Sequence, residues 1–400
     1  MAVNTETAIA QTAMGHRPTL DIIRAAAVLL VIGVHLAGQA RALIPGGDIG
    51  VNVFFVLSGF LITRLLIEER SKNGAIHIWG FMRRRAARLF PALGLLVVWV
   101  IIAEYVFEIY GDPSGVASGL LATVFYARNW LGVAGVSEPA LGIAWSLSVE
   151  EQFYLVWPFF FVAVSGRFTK QSAGRVTLAV FIVAVIQTAL RSVFLGHSVD
   201  TLKLATDANG LIALMAGCTL AFYLNPEPLQ NKRAKNAARL VGLTGSLILG
   251  AFVLFVDSSS TFLPRGGWAI AALATVAVLV GSLRGFEPGA GASWRRMRWI
   301  GAHSYGLYLW HLPMFILVRH SASELGVVGT RVVALVLTLL VSWASMRWVE
   351  APARSWLLRA HARPTTATPV PGVVDVTDDL DLRPSASANG HVLGTKQHPS

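Results

Sequence analysis

The chain has 400 residues, 54% of them hydrophobic and only 14% charged, with a mean hydropathy of +0.59. Soluble domains carry about 25% charged residues, and apolar runs of about 17–25 residues recur here, which excludes a soluble globular protein and, because the runs do not alternate, a β-barrel. The net charge of +11 does not imply nucleic acid as a partner, because the basic residues cluster in short loops between apolar runs, as orientation signals and headgroup contacts do.

Run length predicts about ten spans, at 20–40, 50–67, 89–108, 141–165, 174–194, 208–224, 239–257, 267–283, 299–318 and 329–349. Residues 1–17 are polar and lack the h-region and cleavage site of a signal peptide, so the first span is expected to direct its own insertion. Alternate loops carry roughly 17 basic residues on one side, from Arg70 to Arg298, against 7 on the other, from Arg41 to Arg331. The positive-inside rule then places both termini in the cytoplasm. The expected fold is an all-α polytopic transmembrane bundle. Its divisions are an N-terminal cytoplasmic segment (1–17), a membrane domain (18–355) and a disordered cytoplasmic tail (356–400) rich in Pro, Thr and Ser. Segment 109–140, with its glycines and prolines, reads as a re-entrant or surface element on the outside. The lone cysteine, Cys218, lies among apolar neighbours and reads as a packed thiol.

In chain order, the first polar intrusion is "TLDIIRAAAVLLVIGVHLAGQA", with Arg24 and His35 inside a spanning run. Eleven residues make about three turns, so both point to one side of the helix, roughly 16 Å apart along its axis. Asp21 is positioned to neutralise Arg24 at i,i+3. A deep ionisable residue such as His35 is a functional candidate, although an interhelical hydrogen bond would also account for it. Next, "GVNVFFVLSGF" offers Gly50, Ser58 and Gly59 as a small-residue surface for close helix approach. In "FMRRRAARLFPAL", Arg84, Arg85 and Arg88 form either a plain positive-inside anchor or a site for phosphates, which guanidiniums grip bidentately.

Further along, "AWSLSVEEQFYLVWP" holds Glu150 and Glu151 in an apolar run. Helical periodicity groups Trp145, Ser148 and Glu151 on one side and Ser146, Glu150 and Tyr154 on another. A carboxylate here can pair an arginine or orient a histidine. The stretch "SYGLYLWHLPMF" adds Tyr305, Tyr308 and Trp310, which an aromatic belt explains, and His311, which it does not. Glu350 closes the last span.

Taken together, these stretches resemble the membrane-bound acyltransferase-3 family, the O-acyltransferases of bacterial surface glycans and some secreted metabolites. Arg24 to His35 matches that family's signature of arginine, ten residues, histidine. "GVNVFFVLSGF", "RRAARLFP", "WSLSVEEQFYLVWP" and "SYGLYLWHLP" follow in the family's order, so the resemblance covers about residues 17–355. Many members carry an acidic residue where this chain has Asn52, so no proton-transfer role passes to that position.

The resemblance implies a cytoplasmic acyl-CoA donor, most simply acetyl-CoA, used as a substrate, with no permanently bound cofactor and no metal. It implies a carbohydrate or glycosylated small-molecule acceptor and a location in the cell membrane. His35 then carries the chemistry, as general base or as an acyl-histidine nucleophile. Arg24 steadies the donor or the charge developing on the thioester, and Glu150 pairs Arg24 or orients a histidine. Arg84, Arg85 and Arg88 hold the nucleotide phosphates, while Ser58, Tyr154, Tyr308 and His311 support the substrates. Acylation of a macrolide-like metabolite and a transporter or flippase of such a molecule stand as the other readings.

Overall fold

The computed structural model describes residues 17–359, apart from 38–43, 134–140, 166–168, 195–198, 226, 228, 287, 288 and 290. The expected N-terminal segment and almost all of the expected tail lie outside the described residues. Within them the chain is helical and has no strand. The helices are α1 (Pro18–Ala37), α2 (Ile49–Asn73), α3 (Ile78–Tyr105), α4 (Pro113–Val124), α5 (Arg128–Val133), α6 (Ala144–Ser165) and α7 (Lys170–Phe194). There follow α8 (Val199–Tyr223), α9 (Lys232–Phe255), α10 (Trp268–Arg284), α11 (Ala292–Ala302), α12 (Ser304–Ser321), α13 (Gly326–Ser345) and α14 (Ala351–Arg359).

Each of the ten predicted spans falls on a helix. Seven candidate spans among the described residues are long and apolar enough to cross a membrane: α1, α2, α3, α7, α9 and the runs Leu263–Arg284 and Gly326–Arg359. Both runs join their helices through a π-helical turn, Leu263–Gly267 and Met346–Glu350. The other three expected spans lie on α6, α8 and α12. Among these, α6 carries Glu150 and Glu151, and α12 carries His311, polar groups that interrupt their apolar runs.

Three boundaries differ from expectation. Helix α3 begins at Ile78, so Arg83–Arg88 lies within the helix and not in a loop before it; arginine is a good helix former and its long stem lets the charge reach the surface. The run at 299–318 is divided at His303, with α11 as a separate amphipathic piece. The chain stays helical to Arg359, past the expected domain end at 355.

Local chemistry sets the ends. Pro18 opens α1, where its missing N–H costs nothing. Asp112 caps α4, accepting from the Gly115 N–H at 2.9 Å, with Pro113 at the first helical position. The Gly115 amide and the Ser114 hydroxyl hold this exposed carboxyl below the ordinary aspartate range. Gly74 ends α2 with φ of 70°, a conformation open to glycine and strained for most other residues.

The central seam joins α2 and α8. A Cβ on Gly59 would overlap the backbone of Leu214, and one on Gly217 would overlap the Val56 carbonyl, so the helices meet backbone to backbone. Asn52 donates to Asn209 across this seam at 2.7 Å, and Cys218 Sγ lies 3.5 Å from the Gly59 carbonyl, a buried packed thiol as expected. Phe55, Val56 and Phe60 pack there with Ile212 and Leu214. At the other side of α1, Gly301 of α11 sits on the Asp21 backbone, bracing the end that bears Arg24. Segment 109–133 turns back into the bundle: Gln152 of α6 donates to the Tyr126 carbonyl at 2.6 Å, and the Arg128 N–H bonds Ser148 Oγ at 3.1 Å.

Large apolar side chains do not occur singly on the periphery; α7, α9 and α13 expose whole rows such as Ile182, Val183, Leu240, Leu247, Val336 and Leu340. In water such rows would be an aggregation hazard, whereas lipid tails require them. The protein is thus a multi-pass helical membrane protein. Gly217→Leu should destabilise the seam by about 1–3 kcal/mol or more through overpacking, whereas Gly94→Leu, with open space around its α-carbon, should be silent. Thermal unfolding of the detergent-solubilised variants checks the contrast.

Candidate functional site

One cavity of about 290 Å³ lies between α1, α2, α3, α6 and α12. Its polar lining is Arg24, Ser58, Arg85, Arg88, Ser146, Glu150, Glu151, Tyr154, Ser304, Tyr305 and Tyr308, and its apolar lining includes Phe54, Phe55 and Phe81. Seven of the ten residues singled out in the sequence therefore share one chamber. Helical geometry explains the convergence. Glu150 and Tyr154 stand at i,i+4 on α6, one turn apart on the same face, and their side chains hydrogen-bond. On α3, Arg85 and Arg88 stand at i,i+3.

The charges in the chamber are largely paired. Arg85 bonds Glu151 through two nitrogens, Nε at 3.0 Å and a terminal nitrogen, and lies 4.0 Å from Glu150. Its guanidinium also sits 3.1 Å over the Tyr154 ring, a cation–π contact. Glu150 Oε1 accepts from Ser58 Oγ and from the Tyr154 hydroxyl at 2.6 Å. Arg24 pairs with Asp21 at 3.0 Å, as the spacing predicted. Arg88 alone among the three lining arginines has no carboxylate of the described residues within 4.0 Å, and it is exposed.

Three expectations about contacts change. Glu150 pairs neither Arg24 nor a histidine; it belongs to Ser58, Tyr154 and Arg85. Ser58 is a hydrogen-bonding wall of the chamber, while Gly50 and Gly59 provide the close helix contacts on α2. Arg84 lies outside the chamber, exposed and paired with Glu69 at 3.4 Å, because one residue along a helix turns a side chain by about 100°.

The histidines occupy a second position. His35 and His311 face one another with ring centroids 5.0 Å apart in an edge arrangement, although neither lines the chamber. Tyr308 connects the two places: its ring lies 5.7 Å from that of His311, and it forms part of the chamber wall beside Phe54. The Tyr308 hydroxyl is held by Ser146 Oγ at 2.6 Å and the Ile143 carbonyl at 3.0 Å. His35 Nδ1 lies 2.7 Å from the Val31 carbonyl, and His311 Nδ1 lies 2.6 Å from the Tyr308 carbonyl. A carbonyl only accepts, so Nδ1 carries the proton in both rings and each Nε2 presents a lone pair. His35 is thereby set up as a base or a nucleophile.

Sequence reading missed the Asn52–Asn209 bond and the role of Ser146 as partner of Tyr308. The second was within reach, since Ser146 shares the α6 face of Glu150 and Tyr154. Asn209 was signalled only by being polar in an apolar run. No cluster of metal-ligating side chains occurs among the described residues.

The family model described as an acyltransferase domain matches residues 17–347. The chain is 31% identical over 371 residues to a putative peptidoglycan O-acetyltransferase of Bacillus subtilis, covering 86% of this chain and 56% of that one. It is 32% identical over 359 residues to a peptidoglycan O-acetyltransferase of Listeria monocytogenes, with 84% and 56% covered. It is 31% identical over 363 residues to an O-acetyltransferase of Staphylococcus aureus, with 86% and 58% covered. The chain thus spans a little over half the length of these relatives. No solved structure gives a significant match.

Removing one member of the Arg85–Glu151 pair should cost more than removing both. Arg85→Gln strands a carboxylate, so its loss of stability should exceed that of the Arg85→Gln, Glu151→Gln double variant, with a coupling energy of about 0.5–3 kcal/mol in a thermal or denaturant cycle.

Proposed function

Because the chain belongs to the acyltransferase domain family, we propose that it is a membrane O-acyltransferase that moves an acetyl or similarly short acyl group from acyl-CoA to a hydroxyl of a surface or lipid-linked carbohydrate. Relatives named as peptidoglycan O-acetyltransferases support peptidoglycan as an acceptor to test first. The observation that carries this reading is Arg88, which lines the chamber beside Arg24 and Arg85 with no carboxylate of the described residues within 4.0 Å. A cation with no matching carboxylate among the described residues, beside neighbours that are matched, fits an anion that arrives with the substrate.

In this reading the arginine-bearing end faces the cytoplasm, consistent with the loop charges. The donor's phosphates rest on Arg88, with Arg24 and Arg85 beside it, while Arg84 belongs to the rim and plays no part. The donor's thioester arm extends between Phe54, Phe55 and Tyr308 toward the histidine pair. His35 Nε2 takes the acceptor's hydroxyl proton as the oxygen bonds the thioester carbon. The carbon–sulfur bond breaks and the thiolate leaves, receiving a proton as the site resets. The same Nε2 lone pair serves an acyl-histidine route equally well.

Purified protein in detergent or vesicles, given labelled acetyl-CoA and a glycan acceptor, tests the assignment. His35→Ala should lower transfer by at least about 100-fold; turnover at the level of the wild type would remove His35 from the chemistry. Arg88→Ala should raise KM for the donor by roughly 10–100-fold, the worth of a charge-assisted hydrogen bond, with little change in kcat. Acceptor movement without any donor, and no acyl transfer, would mark a transporter instead. Phe54→Ala should extend the accepted acyl chain by one or more carbons, read as a shift in the kcat/KM ratio of butyryl to acetyl donors.

A further inference from the structure

His311 has no role in the mechanism above, yet its surroundings are unusual. It is 1% exposed, and its Nε2 is a buried atom with no hydrogen-bond partner among the described residues. An acceptor buried in this way costs free energy unless some state of the protein supplies a donor. The ring is not free to find one elsewhere, because Nδ1 is committed to the Tyr308 carbonyl. Its aromatic neighbours are Tyr308 of its own helix and His35 across the α1–α12 contact.

His35 lacks the partner that a catalytic histidine usually has. Its Nδ1–H is spent on the Val31 carbonyl of its own helix, and it makes no ion pair with a carboxylate among the described residues. The ionisable groups on the packed helices are committed to other partners. Arg331 of α13 bonds the Ala37 carbonyl at 2.5 Å, and Glu104 of α3 accepts from the Tyr110 and Gly111 amides. Asp21 and Arg24 pair near the opposite end of α1, and Glu150 of α6 lies in the chamber beyond Tyr308. Asp48, just before α2, takes the Ser258 hydroxyl at 2.5 Å, and α11 joins α12 at His303, about two turns before His311.

We propose that His311 is a positioning residue for the acyl-transfer reaction, its Nε2 accepting a hydrogen bond from the His35 imidazolium that forms when His35 takes the acceptor's proton. This rests on the acyltransferase reading with His35 as base. In the resting enzyme the two rings lie 5.0 Å apart with each Nδ1–H spent on a carbonyl, so neither Nε2 can donate. When the hydroxyl proton passes to His35 Nε2, that nitrogen becomes a donor, and the bond to His311 exists only from then until the proton moves on to the thiolate. An interaction made only in the charged state accelerates the step without tightening the binding of either substrate.

The test compares His311→Phe, which fills the volume without an acceptor, with His311→Gln, which places an amide oxygen near the Nε2 position. In H311F, kcat should fall roughly 10–100-fold while KM for acyl-CoA stays within about twofold, and the acid limb of the kcat–pH profile should move to lower pH. H311Q should recover most of the rate and the wild-type limb. Equal losses in both variants, or a wild-type kcat in H311F, would overturn the pairing. If H311F does not fold, His311→Asn, whose shorter side chain does not reach the Nε2 position, takes its place with the same expectations. Failure of the wild type to transfer any acyl group would overturn the acyltransferase reading itself. Active wild type, inactive H35A and an unaffected H311F would overturn this inference alone.

Discussion

A charge inside a membrane bundle must be matched or used, and the arrangement of this protein follows from that constraint. A lone carboxylate or guanidinium in the hydrocarbon region costs several kcal/mol, so Glu150, Glu151 and Arg85 are found together, with Ser58 and Tyr154 donating to Glu150 Oε1. This knot ties α2, α3 and α6 to one another. Beside it lies the chamber, where Arg88 is the lining arginine with no carboxylate of the described residues within 4.0 Å.

The chamber and the histidine pair divide the work between two environments. The first mixes arginines and glutamates with apolar walls such as Phe54 and Phe55, and suits a ligand with a charged head and an apolar arm. The second lies at the contact of α1 with α12, where His311 is nearly inaccessible and weak dipoles act strongly. Tyr308 belongs to both, with its ring against His311 and Phe54 and its hydroxyl fixed by Ser146. Its position makes it the wall between the two.

Much of this was legible in the sequence. Each expected run fell on a helix, seven of them long and apolar enough to cross a membrane, and the 3.6-residue period put Glu150 and Tyr154 together and paired Asp21 with Arg24. The ordered motifs identified the family. What could not be read was tertiary. Spacing on α3 treats Arg84, Arg85 and Arg88 alike, and only the position of Glu69 and of α6 sends Arg84 outward and Arg85 inward. The meeting of His35 with His311 is of the same kind, since it depends on the crossing of two helices far apart in the chain. Helix ends were least legible around Arg83–Arg88, where charge looked like loop but formed the first turns of α3.

The lone cysteine has a consequence of its own. Cys218 of α8 is sealed against the Gly59 carbonyl of α2, and Gly59 follows the Ser58 that bonds Glu150. A thiol reagent can reach it only when α2 and α8 part. Its labelling rate therefore clocks the opening of the seam that holds the chamber wall in place, in the unaltered protein and without a second thiol to confuse the signal.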